Sequence, residues 1–106
     1  MTEAKPKTVF MFWHPSAEPA KHRVDFDLGA SALVAIGVKN YDQAVSVAKD
    51  LVKEGAVVFE LCAGFGNIGT ARLAEAVKGV PVGVVKFDIH PLLGGKSGDQ
   101  ALGVAP

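Results

Sequence analysis

The run from Val57 to Gly69, VVFELCAGFGNIG, constrains this chain more than any other stretch. Its β-branched and aromatic residues read as a buried strand, and Gly64, Gly66 and Gly69 halt that strand where a helical pattern begins. Along the strand, Val57, Phe59 and Leu61 point to one face while Glu60 and Cys62 point to the other. A carboxylate and a thiol beside a glycine-rich helix start make the first candidate site.

Length and charge narrow the classes. The 106 residues fit a single domain, 1–106, and a chain this short buries only ~60 to 70% of the surface its unfolded form exposes, so its core is modest. Nearly half the residues are apolar (49%) and the formal charge is zero, which argues against a disordered tail and against a nucleic-acid binder that works by charge. The one cysteine, Cys62, has no internal disulfide partner and points to a reducing compartment. The short run TVFMFW ends in His-Pro with no small-residue cleavage site, and no segment approaches the ~20 apolar residues that cross a bilayer. The expected location is the cytoplasm, with no membrane partner.

Taken in order, Thr8 to Trp13 reads as a first strand that ends near His14, because Pro15 cannot donate to a ladder. Pro15 to Gly29 reads as a long loop, with a short strand or turn at His22 to Phe26. Ser31 to Lys39 is the second strand, and Asn40 follows as a helix cap with Gln43 at capping-box spacing. In the helix from Tyr41, residues Ala44, Val47, Ala48, Leu51 and Val52 form one apolar stripe, and Gly55 stops it. After the central strand, Asn67 or the preceding glycine caps a second helix that turns Ile68, Ala71, Leu73 or Ala74, and Val77 to the sheet and ends at Gly79. A fourth strand from about Pro81 to His90 places Lys86, Asp88 and His90 on one face. Residues 91–106 read as a glycine-rich C-terminal loop or tail.

Two consecutive strand-helix-strand units imply right-handed crossovers between parallel strands. The expected fold is α/β: a small, mainly parallel four-stranded sheet with two helices packed on one face. The other face is then bare, and parallel sheets are normally covered on both. The long loop, the C-terminal tail or another subunit must cover it, and a homo-oligomer packed through that face is the expected arrangement.

Gly64-Phe65-Gly66-Asn67-Ile68-Gly69 fits G-x-G-x-x-G between a strand and a helix, the setting in which a helix N-terminus stabilises an anion. The bland alternative is a tight turn that needs glycine for its backbone alone. Gly64, Gly66, Asn67 and Gly69 are the candidate ligand-binding residues, joined by His22 and Arg23 from the long loop as a pair suited to a carboxylate or phosphate. Gly94-Gly95-Lys96-Ser97 fails as a P-loop, since His90 stands where the first glycine belongs.

Strand topology gathers the chemistry-bearing side chains at one edge, where open α/β sheets hold their ligands. The candidate catalytic set is Glu60, Cys62, Asp88 and His90: Cys62 as a nucleophile beside a helix N-terminus, the others as acids and bases. Each has a structural counterpart, from an inert strand cysteine to a Glu60–Lys86 ion pair. Zinc at His14, Cys62, Asp88 and His90 has no close-spaced ligand pair behind it, and no metal residue or cofactor is assigned.

The segments AKHR, GVKNYDQA, ELCAGFG, VGVVKFDIHP and GGKSGD together resemble an uncharacterised family of short bacterial α/β proteins, a domain of unknown function, over Ala20 to Asp99. The resemblance implies a bacterial single-domain protein and brings no activity. The residues themselves lead to a small cytoplasmic enzyme, oligomeric, that acts on an anionic small molecule by acid-base or cysteine chemistry. The alternatives are a non-catalytic nucleotide or metabolite binding module and a purely structural oligomer.

Overall fold

Alternation in the first apolar run buries Val9 and Met11 on one side, giving strand β1 (Lys7–Trp13). The computed structural model describes residues 5–87 and 89–104. The loop that follows carries a second strand, β2 (Arg23–Asp27), which turns back into β3 (Ala32–Val38). Helix α1 (Tyr41–Lys53) leads to β4 (Ala56–Leu61), and helix α2 (Asn67–Ala76) leads to the short β5 (Val82–Val84). A 3-10 turn (Pro91–Leu93) and the four-residue helix α3 (Gly98–Ala101) follow, where the sequence reads as an unpatterned tail.

The architecture is α/β, with strand order β2-β3-β1-β4-β5. Strands β3, β1, β4 and β5 are parallel, as expected; the added fifth strand is β2, paired antiparallel to β3. Residues from β1, β3 and β4 form one core with α1 and α2: Val9, Met11, Val34, Ile36, Phe59 and Leu61 all face the helices. Among the described residues, no helix lies on the opposite face.

Asn40 caps α1 as its spacing predicts, its side chain accepting from the N–H of Gln43 at 2.9 Å. Gln43 returns the contact one residue further back, accepting from Lys39 N–H at 2.7 Å. The buried stripe runs through Tyr41, Ala44, Ala48 and Leu51, while Val52 is exposed. Gly55 ends the helix at φ +108, a conformation that favours glycine.

Helix α2 buries Gly69, Leu73 and Val77 and leaves Ala71 and Ala74 exposed. Its contact face thus differs from the expected one, because the ring of Tyr41 lies against Gly69.

Two other expectations are corrected. Val57 is exposed rather than facing the core with Phe59, since a register shift against β1 pairs Lys7 with Ala56 and Thr8 with Val58 and leaves Val57 bulged out. The last strand stops at Val84, because β4 ends at Leu61 and only one more N–H, that of Val85, finds a carbonyl there, at 3.1 Å. Lys86 and His90 therefore lie beyond the sheet and share no strand face; Asp88 lies outside the described residues.

At the opposite edge of the sheet, Arg23 of β2 donates to Asp25 at 2.7 Å and to Glu54 at 2.9 Å, and Lys7 reaches Glu54 at 3.2 Å. The Arg23 hydrogen bonds hold the carboxyls of Asp25 and Glu54 below their ordinary values and raise Arg23. A depressed carboxyl contributes stability that is present above its unfolded pKa and is lost as pH falls through the folded one. Glu54→Gln should therefore destabilise the protein at pH 7, by less than about 1 kcal/mol because the pair is partly exposed. In urea denaturation the gap to the native protein should close as pH falls from about 5 to about 2.

Candidate functional site

Strand β4 ends against β1, where Cys62 N–H donates to Met11 C=O at 2.9 Å. The chain then turns tightly. Gly64 N–H approaches Cys62 Sγ at 3.3 Å, Phe65 N–H donates to Cys62 C=O at 3.0 Å, and the Trp13 indole donates to Gly64 C=O at 2.6 Å. Phe65 is buried and stacks on Tyr41 with ring centroids 5.4 Å apart.

Gly66 stands at the N-cap of α2 and has no side chain to satisfy the first N–H groups of the helix. Asp99 supplies the missing cap from 30 or more residues away: Ile68 N–H donates to its Oδ2 at 2.8 Å and Gly69 N–H to its Oδ1 at 3.0 Å. The Tyr41 hydroxyl donates to Asp99 Oδ1 at 3.1 Å and accepts from Gly66 N–H at 2.9 Å. Asp99 is only 6% exposed, so its charge rests on these donors and on the positive end of the helix. Burial, with the Asp99 charge adding to it, pushes the Tyr41 phenol upward and keeps it protonated as a donor.

The glycines make this contact possible. A Cβ at Gly66 would meet the Asp99 carboxylate, one at Gly69 would meet the Tyr41 ring, and one at Gly98 would meet the carbonyl of Gly64. Helix α3 presents Asp99 through its own capping box, in which Ser97 Oγ accepts from Gln100 N–H and Gln100 Oε1 accepts from Ser97 N–H, both at 3.2 Å. The N–H groups at Ile68 and Gly69 that a phosphate would use in G-x-G-x-x-G are taken by a carboxylate of the chain itself.

The remaining candidates are dispersed. Glu60 is exposed on the helix-free face, in register with Phe10 and Gly83, so the desolvation that an acid-base role invokes is missing. Cys62 is half-buried just past the end of β4. His90 caps the 3-10 turn, its Nδ1 accepting from Leu92 N–H at 3.0 Å, and its ring lies 5.0 Å from that of Phe87.

His14 and His22 do similar work, accepting at Nδ1 from Ser16 N–H at 3.0 Å and from Glu18 N–H at 2.9 Å. Arg23 is held by Asp25 and Glu54 on the edge strand β2, with β3 and β1 between it and the strand that leads into the glycine turn. Asp88 lies outside the described residues. Among the described residues, no three of His, Cys, Asp and Glu gather in a way that could hold a metal ion.

What the structure does bring together is a cleft of about 270 Å³ at the C-terminal edge of β4 and β5. Asn67, Lys86, Phe87, Ser97 and Gln100 line it, with Gly66 and Asp99 beneath. Of these, sequence reasoning singled out Gly66 and Asn67. Asp99 and Gln100 escaped it, although Ser97 and Gln100 have the spacing of a capping box and so announce the helix that presents Asp99. Tyr41 reads from sequence as core, and only its hydroxyl partners reveal the second role.

Fold and site together define a small α/β domain whose glycine-rich turn is closed by its own C-terminal segment. The chain belongs to a family of unknown function, DUF6506, whose model matches residues 6–100. No curated protein and no solved structure matches it.

Asp99→Ala should destabilise the fold by about 1–3 kcal/mol in urea denaturation, since it strands the buried donors of Gly69 and Tyr41. Combined with Tyr41→Phe, the loss should fall short of the sum of the single changes, because both remove one network. Gly66→Ala should cost stability as well, by displacing the Asp99 carboxylate from the helix end.

Proposed function

We propose that this protein is a non-catalytic binding module for a small anionic metabolite, held in the cleft between the start of α2, the segment after β5 and α3. The observation that carries this reading is the chemistry of the cleft walls. Asp99 is turned into the helix end and its oxygens are engaged, while Lys86 brings a cation and Asn67, Ser97 and Gln100 bring amide and hydroxyl donors. Phe87, 43% exposed, offers an apolar wall beside them. The position also fits, since open α/β sheets hold ligands outside the C-terminal ends of their strands.

The enzyme reading has less behind it. It needs a nucleophile and a base within hydrogen-bond reach. Cys62 has Gly64 N–H as its neighbour, the Nδ1 of His90 serves a backbone cap, and Glu60 lies on the far side of the sheet. A bacterial cytoplasm suits the single free thiol. No helix among the described residues is long and apolar enough to cross a membrane.

Calorimetric titration with inorganic phosphate, a nucleoside monophosphate and small dicarboxylates tests the reading. At least one of these should bind, and Lys86→Ala should weaken it about tenfold or more, the worth of one charge-assisted hydrogen bond. Cys62→Ser and Glu60→Gln should leave the affinity unchanged. Lack of binding across the panel, or affinity indifferent to Lys86 and Asn67, would overturn the proposal; turnover lost in Cys62→Ser would replace it with the enzyme.

A further inference from the structure

The face of the sheet opposite α1 and α2 combines an apolar surface with little cover from the described residues. Register places Phe10, Phe12, Val24, Phe26, Leu33 and Val58 on it, since they pair with one another's neighbours across the strands and alternate along each strand with residues on the helix side. Val24 is 55% exposed and Phe26 48%, large values for side chains in the middle of a strand. A mostly parallel sheet with one naked face departs from the usual burial of such sheets on both sides.

Within the described residues, the chain covers little of this face. The long loop after β1 reaches its upper end only, where Ala17 is buried and its Cβ, with the Phe12 ring, sits over Gly37. The C-terminal segment goes elsewhere: Gly98 and Asp99 pack on the glycine turn, and Leu102 and Val104 join the core on the helix side near Tyr41 and Arg72.

We infer that this face is covered by a second copy of the chain, forming a two-fold dimer that packs sheet against sheet. Area is the first argument. Strands about 4.8 Å apart with a rise of about 3.3 Å per residue give five short strands a face of roughly 400 Å², and side-chain relief raises the accessible area to roughly 600–700 Å². Two copies would then bury on the order of 1,200–1,400 Å², inside the range of about 1,200–2,000 Å² for stable, specific interfaces.

Charge is the second argument. Among the described strand residues, Glu60 is the one carboxylate that register places on this face, toward the β4 side, and the chain is neutral overall, so like copies meet without strong repulsion. The alternative route, edge to edge through β2, offers only a short strand of five residues, three of them charged. The contact is isologous, with the phenylalanines of β1 and β2 at its centre.

Sedimentation velocity of the full chain from about 1 to 100 μM tests this. The expected result is a species of twice the subunit mass that dissociates on dilution; a monomer throughout that range would overturn the inference. Phe26→Asp and Val24→Lys should each shift the population to monomer while circular dichroism stays as in the native protein, because both side chains are half-exposed in one copy. A dimer unmoved by both changes would place the interface elsewhere and overturn it too. The result is independent of the ligand cleft, which neither substitution touches.

Discussion

The seating of the Asp99 carboxylate on the first turn of α2 ties the molecule together. Helix α2 begins at a glycine and has no cap of its own, so its first donors need an acceptor from elsewhere. Asp99 provides it, and in doing so fixes the C-terminal segment against the glycine turn, positions α3, and gives the Tyr41 hydroxyl its acceptor at the start of α1. One buried charge is thereby linked to both long helices and to the end of β4. Burying a carboxylate is costly without donors, and here two backbone N–H groups, a phenol and the helix dipole offset the cost together.

This interaction changes the meaning of the glycines. In a phosphate-binding turn, glycine lets a ligand approach the backbone. Here the same absence of Cβ admits an internal carboxylate at Gly66, an aromatic ring at Gly69 and a backbone carbonyl against Gly98. The physics is shared, an anion at a helix N-terminus, and the chain supplies its own anion. What is left for an outside molecule is the cleft beside that cap, lined by Asn67, Lys86, Phe87, Ser97 and Gln100.

The sheet is asymmetric for a related reason. The two right-handed crossovers, β3-α1-β4 and β4-α2-β5, progress in one direction and so put both helices on one side. The C-terminal segment is drawn to that side as well, by Asp99. Aromatic residues of β1 and β2 are left on the other face, where the loop around Ala17 is the one described segment that packs over them.

Much of the fold was legible in the sequence because it rests on local patterns. The apolar period marked β1, β3 and β4, Asn40 with Gln43 marked the start of α1, and the glycines at 55 and 79 marked where helices stop. The order of these elements was enough to imply parallel strands with helices on one face. Local pattern could not show that β5 would end at Val84, because a strand lasts only as long as its neighbour offers carbonyls, and β4 had already turned away. Nor could it show Glu60 facing solvent, since exposure depends on what covers a face and not on the residues beside it in the chain. The Asp99 cap lay furthest from reach: its partners are some thirty residues distant, and a hydrogen bond over that separation leaves no period or spacing to read. The sequence by itself determined β1, β3, β4, α1 and α2 and the order in which they follow one another; the tertiary structure alone decided which carboxylate would satisfy the helix end and which face of the sheet would stay open, because both depend on long-range contacts between segments that carry no local signal of each other.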